Sequence, residues 1–141
     1  MDGCGREIRM SLTPTTSAPR AARRAVQQCV GADAPPGFLQ DALLLTSELV
    51  TNAVTHTNGG SELHASYDPM CGRVRVEVAD TSSIVPTIRE IDDSSSLGGR
   101  GLRVIDTVAA CWGTTLLPIG KSVWFELGER PSWVESTSTT R

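Results

Sequence analysis

Residues 47–56 read Ser47-Glu48-Leu49-Val50-Thr51-Asn52-Ala53-Val54-Thr55-His56, and the segment that holds them stops at Asn58-Gly59-Gly60. Leu39, Ala42, Leu43, Leu49, Val50 and Ala53 recur at helical spacing, which predicts an amphipathic helix over about 38–57. At about 100° per residue, Glu48, Asn52 and His56 fall near 0°, 40° and 80° on the helical wheel, and the apolar stripe covers about 100° to 220°. The polar line therefore borders the buried face instead of opposing it. An acid and an amide at the margin of a core suit the wall of a cleft, and they equally suit an ordinary helix boundary.

On the N-terminal side, Ile8 to Thr13 alternates apolar and polar residues, as an edge strand does. Thr16, Ser17 and Pro19 form a helix start, a hydroxyl cap followed by proline in the first turn, and Gly31 stops that helix after about Val30. On the C-terminal side, Leu63–Tyr67 and Arg73–Ala79 alternate across a turn at 68–72, which predicts a hairpin. Residues 82–97 are polar and serine-rich and are expected to form a mobile lid. A short helix over 102–109 follows, then strands over 111–117 and 122–127 joined by a turn holding Pro118 and Gly120. The tail from Gly128 is rich in Ser and Thr and is expected to be disordered. The division is thus an N-terminal arm and edge strand (1–15), one domain (16–127) and a tail (128–141). Its expected class is α+β: a two-layer sandwich whose mixed, mostly antiparallel sheet is covered on one face by about three helices.

Composition narrows the function. The chain of 141 residues is the size of one domain, and with 39% hydrophobic but only 4% aromatic residues its core must come from Leu, Val, Ile and Ala. A net charge of -3 argues against nucleic acid as a direct partner. Arg20, Arg23 and Arg24 cluster on the first helix, as either a solvated face or a docking surface for an acidic partner. Cys4, Cys29, Cys71 and Cys111 have no metal-ligand spacing and read as free thiols. The first ten residues lack an apolar signal core, and no apolar run approaches the roughly 20 residues that span a bilayer. The expected location is cytoplasmic, away from membranes.

Two further features carry chemistry. Val76-Glu77-Val78-Ala79-Asp80 ends a strand on an acid, which can begin a turn or accept a hydrogen bond from an amino group such as that of adenine. Leu97-Gly98-Gly99-Arg100-Gly101-Leu102 leads into a helix, where glycines and free N–H groups at the positive end of the dipole suit a phosphate. It is not a G-x-x-x-x-G-K-[ST] loop, so a P-loop enzyme is excluded.

The order and spacing of these segments resemble the Bergerat (GHKL) ATPases. Residues 48–56 are similar to the N box of that superfamily, 76–80 to the strand and acid of its G1 box, and 98–102 to its G2 box. The closing Trp112, Pro118, Gly120-Lys121-Ser122-Val123-Trp124-Phe125-Glu126-Leu127 resembles the last strands of the anti-sigma-factor serine/threonine kinase branch. The resemblance implies an ATP- and Mg²⁺-dependent kinase that phosphorylates an anti-sigma-factor antagonist and sequesters a sigma factor. It implies Glu48 as general base, Asn52 as Mg²⁺ ligand, Asp80 as acceptor for the adenine amino group, and Gly98, Gly99, Arg100, Gly101 and Leu102 around the phosphates. Ser122 would support the adenine site through water, and His56 would line the cleft. A homodimer is also admitted. Asp80 is followed by Thr81-Ser82-Ser83-Ile84 where active kinases of the family have D-x-G-x-G. That departure leaves a second reading open, a protein-binding switch that needs no catalysis. A third, the catalytic half of a histidine kinase, lacks a dimerisation helix pair with a phosphoacceptor histidine.

Overall fold

The computed structural model describes residues 5–32, 34–56, 59–81 and 111–128. The element order is β1 (Arg6–Leu12), α1 (Ala18–Val30), α2 (Pro36–His56), β2 (Ser61–Asp68), β3 (Arg73–Asp80), β4 (Cys111–Leu116) and β5 (Lys121–Gly128). The strands form one sheet in the order β1-β2-β3-β5-β4, and every described pairing is antiparallel. The α+β sandwich with a mostly antiparallel sheet is as the sequence predicts, and no parallel pair occurs among the described residues. Two helices are described; the helix expected over 102–109, the lid over 82–97 and the tail beyond 128 lie outside the described residues.

The alternation in β2 and β3 decides which face is covered. Leu63, Ala65 and Tyr67 register against Val78, Val76 and Val74, and β5 continues the layer with Val123, Phe125 and Leu127. All are buried, together with Ala22, Val26 and Val30 of α1 and Leu45, Leu49 and Val50 of α2. Removing such surface from water stabilises the fold by about 25 cal/mol per Å². Helix α1 packs on β1 and β2, and α2 lies over β3 and β5. The opposite face of the sheet carries ionic side chains. Arg75 lies 2.9 Å from Glu126 and 3.3 Å from Glu77, with its guanidinium 4.3 Å from the ring centre of Trp124.

The ends of α1 show how local signals and distant ones share the work. Gly31 stops the helix at φ 81°, and its N–H donates to the Gln27 carbonyl over 2.9 Å. The exposed carbonyls before it are satisfied from β1: Arg6 Nε donates to Cys29 O and Nη2 to Val30 O, both at 2.8 Å. This is a basic cap on a helix C-terminus supplied by a residue 23 positions away. At the other end the expected hydroxyl cap does not form. Ser17 occupies the cap position but in helical geometry, without a side-chain bond to the helix, and its hydroxyl pairs with Thr15 Oγ1 at 2.9 Å. The first turn is entered through Ala18 N–H on Thr15 O instead.

Candidate functional site

Helix α2 brings Asn52 to the end of the sheet where β3 finishes. Asn52 is buried at 6% exposure, and its Nδ2 has no hydrogen-bond partner among the described residues. An unsatisfied buried amide costs on the order of 1–3 kcal/mol, so such a group in a native fold calls for an explanation. It faces a small cavity lined by Leu49, Asn52 and Ala53 of α2, Val78 and Asp80 of β3, and Lys121 and Val123 of β5. Glu48, one turn before Asn52, is half-buried, and burial pushes its carboxyl up from the ordinary glutamate range. His56 is the last residue of α2.

Asp80 sits at the cavity, and the register that pairs it with Lys121 decides its surroundings. Lys121 Nζ donates to Asp80 Oδ1 at 3.0 Å and to Oδ2 at 3.1 Å. The pair is fully interior, with side-chain exposures of 3% for Lys121 and 1% for Asp80. The turn before Lys121 is what permits this. Leu117 N–H donates to Gly120 O at 3.0 Å, and Gly120 has φ 86°. A Cβ on Gly120 would collide with the Asp80 carbonyl oxygen and come within 2.7 Å of Thr81 Cα, so only glycine lets the hairpin close against the end of β3.

The expected site residues therefore separate into three groups. Asn52 and Asp80 line one cavity at the α2–sheet interface, and Glu48 lies one helical turn before Asn52 on α2. Gly98, Gly99, Arg100, Gly101 and Leu102 lie outside the described residues. Ser122 goes elsewhere: it registers with Ala79 and Thr115, and strand alternation puts it on the sheet face opposite Asp80. The residue that meets Asp80 is its neighbour, Lys121. It is the only lysine in the chain, all the other cations among the 13 Lys and Arg being arginine. That singularity, with the adjacent Gly120, was the available signal for it. Arg23, read as part of a solvated or docking cluster, is tied down: its Nη1 donates to Ser47 Oγ at 3.0 Å, next to Glu48. Arg20 and Arg24 are exposed.

The model of the histidine kinase-like ATPase domain family matches residues 11–111, and the chain belongs to that family. A solved structure of the Erythrobacter litoralis EL346 blue-light activated histidine kinase is similar, with 21% identity, a TM-score of 0.53, and coverage of 79% of this chain and 41% of that one. The histidine kinase domain of the same protein aligns with a TM-score of 0.51 and 21% identity over 79% of this chain and 59% of that one. At this identity the likeness is one of fold, and the chain spans less than two thirds of either structure. No curated protein sequence matches the chain.

Family membership makes this a domain of the histidine kinase-like ATPase type. Asn52 lines the cavity, and its amide oxygen is a hard donor of the kind Mg²⁺ takes alongside phosphates, while its buried Nδ2 has no hydrogen-bond partner among the described residues. Among the described residues no cluster of His, Cys, Asp and Glu forms a protein-only metal cage. The space that Asn52 and Asp80 share is small. The cavity there is about 10 Å³, room for about one water, with Lys121 on the carboxylate. Among the described residues no helix is long and apolar enough to cross a membrane.

Proposed function

We propose that this protein is an ATP-dependent serine/threonine kinase of the anti-sigma-factor type, which phosphorylates an antagonist protein and sequesters a sigma factor. The observation that carries this reading is the meeting of Asn52 and Asp80 at one cavity, with Glu48 one turn before Asn52 on α2. Glu48 takes the proton of the incoming hydroxyl as it attacks the transferred phosphoryl group. Burial raises its pKa toward the range where a carboxylate is an effective base near neutrality. Asn52 supplies an amide oxygen to the metal that accompanies the phosphates. Asp80 accepts from the adenine amino group. Bound ATP supplies the phosphoryl group; the protein's share is positioning, charge neutralisation and the base.

A second reading is favoured by a specific observation, the closed Asp80–Lys121 pair. In it the protein is a partner-binding switch that responds weakly or not at all to nucleotide. Incubation with radiolabelled ATP, Mg²⁺ and candidate antagonist proteins from the same genome separates the two. Label on a serine or threonine of an antagonist supports the kinase. An antagonist that binds without acquiring label, under conditions where ATP also binds, supports the switch.

A further inference from the structure

We propose that Lys121 is a built-in competitor for the base-reading carboxylate, so that nucleotide enters the cleft only when Lys121 leaves Asp80. The inference rests on the nucleotide-binding reading above. Its basis is that the ammonium already takes the place a ligand's amino group needs. Both Asp80 oxygens accept from Nζ at 3.0 and 3.1 Å, the pair is shut away from solvent, and the cavity between it and α2 is about 10 Å³. A purine brings a neutral N–H donor to this carboxylate. In exchange it must displace a charge-assisted, two-pronged contact, the stronger kind of hydrogen bond. The neighbouring Asn52 lines the same cavity, and its buried Nδ2 has no hydrogen-bond partner among the described residues.

The choice of residue fits a movable plug. Lysine carries a compact charge on a flexible four-carbon stem, whereas arginine would lock onto the carboxylate through a planar fork. The chain uses arginine everywhere else. Gly120, directly before Lys121, gives the turn a backbone that brings the stem against the end of β3. Binding then follows population arithmetic. If Nζ is off Asp80 in about 1–10% of molecules, the apparent affinity is lower than the intrinsic one by about 10- to 100-fold.

The test uses the full chain and ADP with Mg²⁺, by calorimetry. Lys121→Met keeps the length of the side chain without the charge and should bind ADP about 10- to 100-fold more tightly than wild type. Lys121→Gln, which retains one donor for Asp80 and so protects folding, should fall between them. The gain should vanish in Asp80→Asn/Lys121→Met. A wild-type measurement makes the test independent of variant folding. Protein labelled with ¹⁵N-lysine gives one side-chain ammonium signal, and saturating ADP should shift it and expose it to solvent exchange. If wild type binds ADP while the Met and Gln variants gain nothing, or the ammonium signal is unchanged at saturation, the competitor role is overturned and the nucleotide reading stands. If neither wild type nor any folded variant binds ADP, both fall.

Discussion

Taking the charge off one side of the Asp80–Lys121 pair should destabilise the protein far more than a surface ion pair would. Exposed pairs contribute about 0–1 kcal/mol. Here the side chains are 3% and 1% exposed, so either single change takes a two-pronged, charge-assisted partner from a charge that stays in the interior. Asp80→Asn and Lys121→Met should each cost about 3–5 kcal/mol. For a chain of this length that is about 10–15 °C in Tm. The double variant leaves only an under-bonded amide, a cost of about 1–3 kcal/mol. It should therefore be at least about 3 kcal/mol more stable than the two single costs added together. Urea unfolding without nucleotide measures this cycle directly, provided the slope m stays constant across the four proteins. Single variants within about 1 kcal/mol of wild type, with additive effects in the double, would refute the argument, because the pair would then be solvated.

Four other outcomes follow from the geometry. Glu48→Ala should keep nucleotide binding and lose transfer by about 10²- to 10⁴-fold, with wild-type transfer rising with pH through an apparent pKa above the usual glutamate value; a rate flat across that limb would remove the base role. The raised carboxyl also means that Glu48 contributes stability in its protonated form, present at low pH and lost as pH rises through the folded pKa, so Glu48→Gln should flatten the pH dependence of Tm in that window. Arg6→Ala should cost about 1–3 kcal/mol and speed amide exchange in the last turn of α1; exchange confined to β1 would show that the helix end does not depend on this cap. Reversing Arg20 and Arg24 to Glu should leave Tm within about 0.5 kcal/mol equivalent of wild type and weaken partner capture, whereas Arg23→Glu should also loosen the α1–α2 contact at Ser47; unaltered capture by the first pair would reduce both to a solvated face.

The parts of the fold that were legible in the sequence are those in which neighbouring residues carry the information. The 3.6-residue period of α2 places Asn52 at the core margin, and the alternation of 73–80 with the turn at 68–72 gives the β2–β3 hairpin. The glycine after α1 is likewise a local signal. What the sequence concealed depends on register between segments far apart in the chain. Strand β5 returns to pair with β3, and its offset decides whether Lys121 or Ser122 meets Asp80. One residue of slip exchanges the two faces of a strand, which is why a reading that finds the right strand can still choose the wrong side chain. The Arg6 cap escaped for the same reason, since nothing near residue 6 announces a helix end more than twenty residues on.

The position of β1 has a consequence for the handling of this chain in cells and in the laboratory. Its seven pairs with β2 cover one flank of the sheet, and its outward positions carry Glu7, Arg9 and Ser11, so the outermost rim meets water with charge and hydroxyl. Proteolysis or trimming of the first dozen residues would bare the eight-residue β2 along its whole length, with Leu63, Ala65 and Tyr67 under a rim that lacks those guards. An uncovered strand of that kind templates the addition of further strands from other molecules. The N-terminal segment thus acts as a selvedge, and a shortened chain would be prone to self-association through β2 even with its cleft intact.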